Sequence, residues 1–259
     1  MSVAWNDIFQ LPDTALAGKR IPKTALVRNA HLTRLEQKAL DKIALVEHFA
    51  TVQKSTTRIA PRVDEERDIQ SVIFLHCELS GTSAAYAELA GILHPCFPNP
   101  TVLLFEGGAE ICISCAITRK SLAERGVTVV DSTVMTGGFQ TTNARYAPFL
   151  ESLALHTLPQ DDLYVCLSEL SWRIRLVRLV PSLGFYPSCA PEKRERLLAL
   201  CTNRDKLTSE RNAIEEQRRN KELTLNDTAK LRIMQRNIEK RLEGILGEIK
   251  EVCSKGELF

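Results

Sequence analysis

A chain of 259 residues with 44% hydrophobic and 25% charged side chains has room for one large core or two small ones, and its net charge of +2 is too small to imply nucleic acid by itself. No apolar run approaches the ~20 residues needed to span a bilayer, and the opening MSVAWNDIFQLPD lacks the basic and apolar regions of a secretory signal, so the expected location is the cytoplasm. Eight scattered Cys fit that compartment as reduced thiols rather than a small secreted disulfide framework.

Charge is unevenly spread. Residues 1–62 carry ten Lys or Arg against five acids. That lobe, with Lys19, Arg20 and Lys23 near its start, suits phosphate or an acidic partner, or else is a solvated basic face. Within it, IFQLPDTALAGKRIPKTALV places Leu11-Pro12 and Ile21-Pro22 around Gly18, which predicts an extended, turn-rich arm. HLTRLEQKALDKI has Leu32, Leu35, Ala39 and Ile43 at helical spacing, with Thr33 and Glu36 as start signals, and ALVEHFATVQ reads as a strand.

The middle alternates more regularly. DIQSVIFLHCEL predicts a strand, and TSAAYAELAGILHP a helix stopped by Pro95. PTVLLFE and AEICISCAITRK predict two strands joined by Gly107-Gly108, and GVTVVDSTV a further strand. Residues 1–140 therefore read as an α+β domain, a mostly antiparallel sheet with flanking helices on one side.

Residues 141–190 read as a helical connector with a Pro-rich linker. In DDLYVCLSELSWRIRLVRLV, Leu163, Leu167, Leu170, Ile174 and Val177 make one apolar face, with Asp161 or Asp162 as cap. Pro181, Gly184, Pro187 and Pro191 follow.

Residues 191–259 show heptads. Leu200, Leu207 and Ile214 recur every seven residues, with Leu197 on the same stripe. A break at LTLND gives Thr224 and Asp227 the spacing of a capping box. Beyond it, Leu231, Ile238, Ile245 and Val252 form one series and Met234, Leu242 and Ile249 a flanking one. These stripes predict a coiled-coil-like helical hairpin, paired within one chain or between two, the latter making a homo-oligomer.

Three stretches invite chemistry. CISC, Cys112 to Cys115, has redox or zinc spacing, but on a strand positions i and i+3 point to opposite faces, so two buried thiols are the expectation. Acids around the sheet, among them Asp64, Glu66, Glu106 and above all Glu78 and Glu110, suggest a divergent metal-dependent nuclease, yet neither lies two residues before a Lys. SWRIRLVRLV places Arg173, Arg175 and Arg178 on a helix, as phosphate contacts or as snorkelling surface residues. Phosphate-loop, dinucleotide and nucleophile-elbow motifs are absent, so no cofactor or metal is expected.

LPDTALAGKRIPK, the run IQSVIFLHCEL…LAGILHPCFPNP…TVLLFE…ICISCAITRK, and QRRNKELTLNDTAKL occur in that order across nearly the whole chain. Together they resemble a bacterial domain-of-unknown-function family. The resemblance implies genes beside DNA methyltransferases and SNF2-type or other superfamily-2 helicases, in restriction-modification or phage-defence clusters. It therefore implies an accessory subunit of such a system. The leading expectation is a non-catalytic scaffold whose helical hairpin docks a helicase or methyltransferase, with Arg173, Arg175 and Arg178, or Lys19, Arg20 and Lys23, as candidates for added DNA-backbone contacts. The resemblance supplies no active-site residues.

Overall fold

Six segments pair into one sheet: Leu16–Arg20 (β1), Ile43–Gln53 (β2), Ser71–Leu79 (β3), Thr101–Gly107 (β4), Glu110–Lys120 (β5) and Thr128–Met135 (β6), in that spatial order. A computed structural model describes residues 3–81, 85–219 and 224–255. The first residues of the TSAAYAELAGILHP helix, 82–84, and Leu223 of LTLND lie outside the described residues. The chain divides into two compact units, Met1–Val180 and Pro181–Leu258. The helical stretch 141–180 thus belongs with the sheet, and the division falls at the first proline of the Pro-rich segment.

Every neighbouring pair in the sheet is antiparallel except β3 and β4, which run parallel. A parallel pair needs a crossover, and Tyr86–Leu93 supplies its helix. In chain order the first unit's main helices are Trp5–Phe9 (α1), Lys23–Ala30 (α2), Arg34–Leu40 (α3), Tyr86–Leu93 (α4), Ala147–Ser152 (α5) and Leu163–Val177 (α6). The caps expected from sequence form. Thr33 and Glu36 close a capping box on α3, and Asp162 Oδ1 accepts from the N–H groups of Tyr164 and Val165 at 2.8 and 2.9 Å to start α6. Gly108 makes the β4–β5 turn at φ +65°, a conformation that costs a residue without Cβ nothing.

Helices cover both faces of the sheet rather than one. On the first face, Leu26 of α2, Leu40 of α3 and Leu89 of α4 pack over Leu75, Leu103 and Phe105. On the second, Val52, Val72 and Phe74 meet Leu163, Cys166 and Leu170 of α6 around an apolar void of about 20 Å³. This double cover explains why β3, β4 and β5 are almost continuously apolar instead of alternating. The expected extended arm is partly regular. Its polar stretch LAGKR joins the sheet as edge strand β1, since an edge needs pairing on one side only and tolerates exposed side chains.

The second unit is built from two long helices, Arg194–Arg218 (α7, 25 residues) and Leu225–Val252 (α8, 28 residues), packed as a hairpin. A short antiparallel ribbon joins Ser254–Lys255 to Pro187–Ser188 within the same unit. Thr224 caps α8: its Oγ1 accepts from the Asp227 N–H at 3.1 Å and donates to Asp227 Oδ2 at 2.6 Å. No helix of the described residues is long and apolar enough to cross a membrane.

Candidate functional site

The strand-end acids separate by parity. Pleating sends alternate residues to opposite faces. Glu78 follows His76 on β3, and its partner on β4 is Glu106, so both belong to the face under α1. Glu110 pairs with Gly107 on the other face, where Tyr86 Oη donates to its carbonyl at 3.3 Å. Its carboxylate lies against Gly138, where a Cβ would fall 2.5 Å from Oε2. Glu78 and Glu110 thus lie on opposite sides of the sheet and cannot share one ion.

Glu106 has a different task. Its Oε1 accepts from the Trp5 indole at 2.7 Å and from the Val3 N–H at 3.2 Å, while Oε2 takes the same N–H at 3.3 Å. His76, 6% exposed, has Nε2 3.0 Å from Glu106 Oε1, although not at a hydrogen-bonding angle, and Nδ1 3.7 Å from Glu47 Oε2. Trp5 lies over the imidazole at 6.5 Å between ring centres. These contacts tie α1 to the end of β4 and shut the imidazole from water. Elsewhere Asp64 closes a turn: Arg62 Nε donates to Oδ2 at 2.7 Å and the N–H groups of Glu66 and Arg67 to Oδ1. Those bonds, Arg62's first, hold its carboxyl down at about 2. Among the described residues no group of three His, Cys, Asp or Glu is disposed to hold a metal ion.

CISC behaves as the alternation predicts. Cys112 joins the core beneath α4, and Cys115 faces α6, where Cys166 is its electrostatic neighbour. Burial pushes the Cys112 thiol up to about 11 and raises Cys115 further, so both stay protonated and inert as nucleophiles. No disulfide joins any of the eight cysteines.

One buried network escaped the sequence reading. His94 sits just past α4, with Nδ1 2.5 Å from Thr101 Oγ1 and Nε2 2.8 Å from Ser114 Oγ. Ser114 donates to the Val134 carbonyl at 3.3 Å. Its proton is thereby committed, so Nε2–H donates to Ser114 and Nδ1 accepts from Thr101. The chain of bonds crosses β4, β5 and β6, and burial depresses the imidazole to about 3, which keeps it neutral. The arrangement resembles a Ser-His pair in composition only. It is sealed, and it pins the crossover to the sheet. The available signal was a lone Ser in the apolar run ICISCAIT.

The arginines of α6 differ sharply. Arg173 is spent inside the first unit: Nε donates to Glu169 Oε1 at 3.1 Å, Nη2 to the Thr157 carbonyl at 2.8 Å, and Nη1 to the Thr157 hydroxyl at 2.8 Å and the Ser152 carbonyl. Only 13% of its side chain is exposed. It clamps the 152–157 segment to α6 and presents no free guanidinium to a phosphate. Arg175 is half-buried and Arg178 exposed. Lys19 and Arg20 are exposed on edge strand β1, and Lys23 is half-buried at the start of α2.

In the hairpin, Leu207 and Ile214 of α7 and Ile238, Ile245, Ile249 and Val252 of α8 are buried, with Leu200, Leu231 and Leu242 half-buried. Met234, expected on the flanking stripe, is instead 52% exposed, beside Ile233 at 62%. The reason is where α7 stops. Its last residue, Arg218, donates to Gln235, so the α8 residues ahead of Gln235 have little of α7 beside them.

A family model described as Domain of unknown function (DUF4391) matches residues 9–242. No curated protein and no solved structure matches the chain.

Proposed function

The chain belongs to the DUF4391 family, and from that premise and the geometry above we propose that it is a non-catalytic accessory or scaffold subunit of a bacterial DNA modification-restriction or anti-phage system. The sheet unit is the platform, and the hairpin is the arm that grips a helicase or methyltransferase partner. The genomic setting comes from the resemblance of the LP…IPK opening, the middle strands and the late Leu-Asn run to that family.

The observation that carries the docking role is the end of α8. A helix whose only purpose was to pair with α7 would bury its large apolar residues, yet Ile233 and Met234 are more than half exposed. Exposed apolar anchors ringed by polar residues are what a partner surface uses. The nuclease alternative loses its acid pair, because Glu78 and Glu110 lie on opposite faces of the sheet.

Co-expression with the neighbouring gene products, expected to be a helicase and a methyltransferase, tests the proposal. A stable complex should survive purification, and a chain ending at Pro191 should release the partner. A truncated chain that still holds it would remove the docking role from the hairpin. Incubation with plasmid DNA and Mg²⁺ should leave the DNA intact; cleavage that Glu78→Ala abolishes would restore the enzyme reading, and a dimer lost on truncation would point to self-association.

A further inference from the structure

Charge along α8 is unevenly spread. Residues 226–241 carry five cations, Lys230, Arg232, Arg236, Lys240 and Arg241, and two acids. Residues 242–252 carry Glu243, Glu248 and Glu251 against Lys250 alone. The first and last turns hold Asp227 and Lys250, the signs a helix dipole favours, and the five cations lie beyond its reach. The helix dipole therefore does not account for the run of cations.

The cations are also unspent. All five are exposed, and among the described residues none of them makes an ion pair. Of the two acids, Asp227 is taken by the Thr224 cap, and Glu239 accepts from Gln235 at 2.9 Å. At 100° per residue, Arg232, Ile233, Arg236 and Lys240 fall on the side opposite the buried stripe of Ile238, Ile245 and Ile249, with Glu243 at the end of that row and Lys230 on its flank. The outward face is thus a cationic strip about two turns long, with one apolar residue, Ile233, beside Arg232.

We propose that this outward face of α8 is a nucleic-acid contact surface that tracks the phosphate backbone of duplex DNA. It rests on the reading of the hairpin as a docking arm. For the cations themselves an acidic protein partner is the weaker match, because interface centres are depleted of Lys; Ile233 and Met234 keep the docking role proposed for them. Backbone contact needs a row of free Lys and Arg and little else. Arg173 drops out of this role through its clamp, and the contact surface moves to a helix on which the sequence reading placed only pairing residues.

The test is binding of the full chain to a short fluorescent duplex, followed by anisotropy at rising salt. The wild type should bind at low salt and weaken steeply as salt rises. Combined Arg232→Gln, Arg236→Gln and Lys240→Gln should weaken binding by about tenfold or more and reduce the log–log salt slope by about 3, one for each lost phosphate contact. Helicity by circular dichroism should be unchanged, since the three side chains are exposed and Gln forms helix about as well as Arg and Lys. Absence of duplex binding at low salt, or an unchanged slope in the triple variant, overturns the proposal. So does loss of binding on Lys19→Gln, Arg20→Gln and Lys23→Gln instead, which would assign the contact to the basic lobe. Loss of partner capture with duplex binding intact would leave this inference standing and remove only the scaffold reading.

Discussion

The two units treat charge in opposite ways. In the sheet unit, polar groups that look reactive are consumed by structure: Arg173 by carbonyls and Glu169, Glu106 by Trp5 and Val3, His94 by Thr101 and Ser114. In the hairpin, five exposed cations of α8 make no ion pair among the described residues, and two apolar side chains stand near them. Titratable groups buried among partners are building material. Those left exposed are where function is to be sought.

The sharpest way to break this contrast is a pair of single substitutions. Arg173→Ala removes four hydrogen bonds in a mostly buried setting, and should cost about 2–3 kcal/mol in urea unfolding. Lys230→Ala should cost no more than about 0.5 kcal/mol. Equal costs would erase the distinction.

A pH series sharpens it. Burial holds His94 at about 3, below the ordinary value near 6.5, so the unfolded chain takes up this proton first. Its contribution is fully present above about pH 6.5 and is lost as pH falls toward 3, at up to about 1.4 kcal/mol per pH unit. His94→Gln should flatten that slope, read from midpoints of chemical unfolding. All five histidines lie before residue 181, so the part of this window above the carboxylate range, from about pH 6.5 to 5, reports the sheet unit.

A smaller loss than that of Arg173→Ala is expected at the hairpin's cap. Thr224→Ala removes the α8 cap and should cost about 1 kcal/mol, seen as an earlier loss of helical circular dichroism. A larger loss would mean that the two-helix packing depends on its turn more than on its buried stripe.

What could be read from residues alone was what depends on neighbours in sequence. Thr33 with Glu36, Asp162, and Thr224 with Asp227 are caps decided within four residues, and the heptads of α7 and α8 needed only their period. Gly107-Gly108 was legible for the same reason. Strand direction was not, because a pleat has the same period whether its neighbour runs parallel or antiparallel, so the β3–β4 pair went unseen. The separation of Glu78 from Glu110 also needed the register that joins β3, β4 and β5. Arg173 was misjudged because its acceptors are backbone carbonyls at Ser152 and Thr157, which no side-chain pattern announces.

The bond from Trp5 to Glu106 spans 101 positions of chain. A helix made 101 positions earlier in synthesis must therefore wait for its strand, holding Trp5 and Phe9 uncovered meanwhile. Indole emission from Trp5 during refolding should then change late, after the strands have assembled, and the nascent segment around Trp5 and Phe9 is where a chaperone would bind.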